Sequence, residues 1–85
     1  VYSIGDAEAE VIEAQVLSTS SIAGQNIRDI EFPEGVLLGA VRKGDKILKP
    51  SGRLRIDEGD HVVLFALSAD VSEVERLLQV TIDFF

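Results

Sequence analysis

Residues 36–48 read VLLGAVRKGDKIL, and their reading decides the fold. Val36-Leu37-Leu38-Gly39-Ala40-Val41 is an unbroken apolar run of strand length. Apolar side chains at both parities suit a central strand covered on both faces, since a strand with one wet face would alternate. Lys43-Gly44-Asp45 then reads as a tight hairpin turn. Lys46-Ile47-Leu48-Lys49 is the short return strand, stopped by Pro50-Ser51-Gly52.

The pattern continues downstream. Leu54 and Ile56 alternate with Arg53 and Arg55, which predicts a strand with one wet face. Asp57-Glu58-Gly59-Asp60 is a turn, and His61 to Leu67 is a second apolar run, again a buried strand. A helix follows, with Val71, Val74, Leu77 and Leu78 on one face. Asp70 can cap it, and Glu73 three residues later can reach back in a capping box. Val80, Ile82 and Phe84 alternate with Thr81 and Asp83, as in a terminal strand or a tail that pairs with something.

Upstream, Ile12, Ala14 and Val16 alternate with Glu13 and Gln15, a half-buried strand. The serines after Thr19 break it and are good helix starters. Ile27 and Ile30 lie three apart, so a short helix fits from Gly24 to Ile30, closed by Phe32-Pro33-Glu34-Gly35. The expected class is α+β: a mixed β-sheet with two helices in β-α-β-β-β-β-α-β order. Residues 1–85 form one domain, with 1–8 as a lead-in from an upstream domain and 79–85 as a C-terminal tail. The chain contains no methionine and opens on Val1-Tyr2-Ser3-Ile4, which suggests a fragment of a longer protein.

Composition narrows the function. With 46% hydrophobic residues the chain is a globule rather than a disordered segment. The net charge of -7 disfavours nucleic acid and anionic lipid, because phosphate binding needs surplus Lys and Arg. There is no cysteine, which excludes disulfides and thiolate metal sites. His61 is the single histidine, so a catalytic base with an oriented partner cannot be assembled. No glycine pattern cradles a phosphate. The acidic turn at 57–60 lacks the spacing of a calcium loop. The chain is read as no enzyme.

Six basic residues crowd one segment: Arg42, Lys43, Lys46, Lys49, Arg53 and Arg55, opposed there by Asp45. They would suit an anion or an acidic partner, or simply a solvated hairpin whose lysines guard a sheet edge. Phe32, Phe84 and Phe85 lie near loops or the terminus, where either a partner or the domain's own core would cover them.

The ordered set resembles the C-terminal regulatory domain of potassium-conductance regulators, the TrkA-C or RCK-C domain. The residues that carry the resemblance begin with Ala9-Glu10-Val11-Ile12-Glu13, then Ile22-Ala23-Gly24 before Ile27-Arg28-Asp29-Ile30. Val36 to Val41 with Arg42-Lys43-Gly44, Pro50-Ser51-Gly52, and Glu58-Gly59-Asp60 before His61-Val62-Val63-Leu64-Phe65 complete it. Val80 to Phe85 is similar to the C-terminus of proteobacterial members of the family.

The resemblance implies a regulatory and assembly module of a cytoplasmic potassium-uptake (Trk) subunit, peripheral to the inner membrane. It would self-associate and control potassium transport through a Trk membrane subunit, without inserting in the membrane or binding nucleic acid. NAD or ATP would be expected only in Rossmann domains outside this chain, with no cofactor in it. The loop Glu31-Phe32-Pro33-Glu34-Gly35 lacks the Arg and Asn of the members that bind cyclic dinucleotides. The alternative is a small-anion or nucleotide sensor of another cation transporter or exchanger, motivated by the basic segment. A DNA-binding swapped hairpin, suggested by Gly52-Arg53-Leu54-Arg55-Ile56, conflicts with the net charge.

Overall fold

The computed structural model describes residues 2–4 and 7–79. Their strands are β1 (Tyr2–Ile4), β2 (Ala7–Gln15), β3 (Gln25–Asn26), β4 (Val36–Lys43), β5 (Lys46–Leu48), β6 (Arg55–Ile56) and β7 (His61–Leu67). One helix, α1 (Val71–Leu78), closes the described chain. The α+β class expected from the sequence holds. Five strands form a sheet in the order β1-β2-β7-β4-β5, and β3 pairs with β6 in a second, two-stranded sheet. Every described pairing is antiparallel. Tyr2–Ile4, in the expected lead-in, pairs with Ala7–Ala9.

The two apolar runs are the middle of the sheet. β7 lies between β2 and β4, with Leu64 opposite both Ile12 and Leu38. β4 continues through the Gly44-Asp45 turn into β5, as the sequence predicts. One face of the sheet carries the core. Ile12, Val41, Val62, Leu64 and Ala66 meet Val71, Val74 and Leu78 of α1, with Val16, Ile22, Ile30 and Ile56 from the connections. Phe32 is half-buried against this core, so the domain itself covers it.

Three local expectations give way. The runs are not covered on both faces: Leu37 and Phe65 remain 67% and 42% exposed, because α1 and the connections all pack on the opposite side. The segment 24–30 is not a regular helix. Its amides bond across to residues 52–56 instead, Gly24 N–H to Ile56 O at 2.7 Å, Ile27 N–H to Leu54 O at 2.9 Å and Arg28 N–H to Gly52 O at 3.1 Å. Donors used between strands cannot also make i→i−4 bonds, and a single 3₁₀ turn, Ile27–Asp29, is left. The capping box does not form. Asp70 makes no side-chain cap bond. Its carboxylate lies over Gly35, where any Cβ would overlap Oδ2, and Glu73 Oε1 accepts from Arg76 Nη1 at 2.9 Å. The serines form turns, and Ser21 Oγ donates to Leu77 O at 2.7 Å near the end of α1. The expected terminal strand lies outside the described residues.

Candidate functional site: the open sheet face and the basic segment

The sheet spreads the six basic residues apart. Lys43, the last residue of β4, reaches the turn before β7 and donates to Asp57 Oδ2 at 3.0 Å and to Asp60 Oδ2. Asp60, itself buried, also accepts from the Asp57 backbone N–H at 2.8 Å. Arg55 Nε lies 2.8 Å from the other Asp57 oxygen. Desolvation works to lower the Lys43 ammonium, but hydrogen bonds and charge from Asp60 and Asp57 outweigh it and raise it above the ordinary lysine value. The Lys43 hydrogen bond holds the Asp57 carboxyl below the usual aspartate range against partial desolvation, helped by the charges of Lys43 and Arg55.

Lys43 and Arg55 therefore serve an internal clasp between the β4–β5 hairpin and the turn before β7. Arg42 points to the opposite face of β4, beside His61 in the register. Lys46, Lys49 and Arg53 are exposed. Arg28, outside the expected segment, meets it where its backbone N–H bonds Gly52.

The uncovered face of the sheet is the larger feature. Cross-strand register aligns Val11, Phe65 and Leu37 in one row over β2, β7 and β4. Their exposures are 45%, 42% and 67%, and Ile47 on β5 stands 74% exposed. The next row is Glu13, Val63 and Ala40, and the one after it Gln15, His61, Arg42 and Ile47. His61 Nδ1 is 4.0 Å from Glu13 Oε1, an ion pair only when the imidazole is protonated and too long for a hydrogen bond.

Between Leu38 and Ala40 the register shifts by a bulge at Gly39. The Phe65 ring lies down over that glycine, whose missing Cβ would overlap Cε2. The glycine thus leaves the room that this edge of the ring occupies. A cavity of about 290 Å³ opens at the end of this face, lined by Glu34, Gly35, Val36, Leu37, Phe65 and Leu67 among others.

The sequence reading did not name these residues as a surface. The signal was present: in Val62-Val63-Leu64-Phe65 and in Val11-Ile12 both parities are apolar. Among the described residues no group of three or more His, Asp or Glu gathers to hold a metal, and no helix is long and apolar enough to cross a membrane.

The model of the TrkA-C domain family matches residues 11–79. A Trk system potassium uptake protein TrkA from Azorhizobium caulinodans is 41% identical over the whole chain. One from Halomonas elongata is 37% identical, also over the whole chain. The chain spans 19% and 20% of the length of these relatives. Among solved structures, an RCK domain solved with cda covers 80% of this chain and 96% of its own, at 18% identity and a TM-score of 0.68. The RCK_C domain dimer of S. agalactiae BusR in complex with c-di-AMP covers 81% of this chain and 95% of its own, with the same identity and score. These two likenesses are of fold.

Proposed function

Because the chain belongs to the TrkA-C domain family, we propose that it is a regulatory and assembly module of a potassium-uptake subunit. It acts by self-association and biases a Trk membrane subunit, from a cytoplasmic position at the membrane surface. The observation that carries the reading is the 41% identity to a Trk potassium uptake protein over the whole of this chain. Nucleotide binding by NAD or ATP is assigned to Rossmann domains outside this chain.

The test is potassium or rubidium uptake by cells carrying the longer subunit with and without residues 11–79. Loss of regulated uptake, with the shortened subunit still folded and present at normal amount, is expected. Unchanged uptake would overturn the proposal.

A second reading, a ligand sensor, takes support from the cyclic dinucleotide in the solved BusR relative. Here the cavity beside Leu37 and Phe65 is bordered by the Glu34 carboxylate, which repels a dianion. We therefore rank this reading second. A thermal-shift series with c-di-AMP and nucleotides decides it, since ligand at 100 times its Kd adds about 2.7 kcal/mol.

A further inference from the structure

From the cationic edge of the sheet we infer that β5 takes an acidic, extended segment of a partner protein as an added strand. The inference stands apart from the potassium reading, since it names a partner's chemistry and not what the domain regulates.

Three observations carry it. First, β5 ends the sheet order β1-β2-β7-β4-β5, so among the described residues its outer edge is unmatched. The register fixes what that edge offers. Lys43 pairs with Lys46 and Arg42 with Ile47 across the two-residue turn Gly44-Asp45. Gly44 has φ 59°, the positive value that hairpin turns of this length require at their first central residue. The pair flanking such a turn exchanges both its backbone bonds, and the next pair along the ladder exchanges none. The N–H and C=O of Ile47 therefore point out from the sheet, where a strand laid beside β5 would bond both.

Second, the charge is segregated. Residues 42–55 carry six basic residues against Asp45, whereas the rest of the chain carries two basic against fourteen acidic. Lys43 and Arg55 are engaged by Asp57 and Asp60. Arg42, Lys46, Lys49 and Arg53 form no ion pair among the described residues. Lys46 and Lys49 bracket the outward backbone pair at Ile47, and Arg42 lies opposite it on β4. Lysines along an edge bar like-charged strands. The same lysines select an acidic one.

Third, Ile47 is 74% exposed in the same row as Arg42. An antiparallel strand added here sets an apolar residue against Ile47 and a carboxylate, one residue on, against Lys46. With the pairing carried on to Lys49, a second carboxylate two residues before the apolar one meets that lysine. The partner's segment thus reads acidic-x-apolar-acidic. Nucleic acid and anionic lipid make no use of the backbone pair, and the acidic remainder of the surface repels both.

The experiment is an NMR titration of the isotope-labelled 85-residue chain with the end-blocked peptide SETVETS, which carries that pattern. Shifts centred on the amides of residues 46–49 are expected, with slowed hydrogen exchange at Ile47. The neutral analogue SQTVQTS should bind about tenfold more weakly. Ile47→Pro deletes the outward donor while leaving the β4–β5 bonds in place, and should abolish binding. K46E/K49E should lose SETVETS and gain the charge-reversed SKTVKTS, an exchange that misfolding cannot mimic. The proposal is overturned if several-millimolar SETVETS moves no β5 amide, if Ile47→Pro binds as well as the wild type, or if the neutral peptide binds equally. Phosphatidylglycerol vesicles should leave the β5 amides unmoved; vesicle binding without peptide binding would assign the edge to a lipid surface and overturn it. A chain ending at Gln79 should bind the peptide no more tightly; a large gain would make the chain's own tail the occupant and overturn the partner. None of these outcomes depends on potassium uptake, so this inference and the proposed function fail separately.

Discussion

Single residues decide local geometry here in ways their type alone does not announce. Gly39 shows no left-handed backbone; its importance is the ring lying on it. Gly39→Ala is expected to cost about 1–3 kcal/mol, the range of forcing extra volume into occupied space. In a Phe65→Ala background the same change should cost less, because the overlapping atom is gone. Urea denaturation of the four chains in this cycle checks the coupling. Gln79 is the reverse case, a side chain held at φ 58° where α1 ends. That conformation disfavours any residue with a Cβ. Gln79→Gly should raise stability by about 0.5–1 kcal/mol, after allowing for glycine's extra freedom when unfolded. A midpoint that falls would show that the Gln79 side chain contributes more than its backbone costs.

The clasp around Lys43 acts at the scale of elements, since it joins a hairpin to the turn that launches β7. A carboxyl held low when folded stabilises the fold above 3.8, and that contribution is lost as the pH falls through its lower folded value. An ammonium held high stabilises the fold below 10.5, and that contribution is lost as the pH rises through its raised value. The clasp is therefore intact through the neutral range. Asp57→Asn is expected to lower the urea midpoint at neutral pH, and the deficit relative to wild type should shrink as the pH drops below 3.8. A constant deficit at every pH would separate Asp57 from the acid limb. Helix α1 is held by its apolar face more than by its ends, given the missing cap bond and the buried Val71, Val74 and Leu78.

At the scale of the whole molecule, the governing fact is a sheet that the described residues dress on one side. Leu64→Ala should cost about 2–5 kcal/mol, as for other buried leucines. Leu37→Ala, in the same sheet but on the open side, should stay within about 0.5 kcal/mol at dilution. Urea denaturation of both variants checks the contrast. Much of this was legible in the sequence. The two apolar runs, the Gly44-Asp45 turn and the periodic face of α1 announced themselves, because each rests on neighbours within a few residues. The strand-like pairing of residues 24–28 with 52–56 did not, since two stretches distant along the chain choose each other only once the sheet has brought them together. The basic segment looked like one feature along the chain. Extended strands then turned Lys43 and Arg42 to opposite faces, and two carboxylates from the turn before β7, Asp57 and Asp60, pair with Lys43. The open face was misread for a related reason: an apolar run reports that both sides want covering, but not whether this chain supplies both covers.

The strand order also sets a timetable. β7 is the last strand of the described chain to leave the ribosome, yet it lies at the middle of the sheet, between β2 and β4. Before it arrives, β4 can pair with β5 in a local hairpin, while β2 has only the short β1 beside it. Pairs such as Ala9 with Leu67 join residues 58 apart in a chain of 85. Contacts so distant along the chain make folding slow and late. A nascent chain that stalls before His61 holds two unmatched strand edges, of which β4 is rich in valine and leucine, open to whatever extended segment lies nearby.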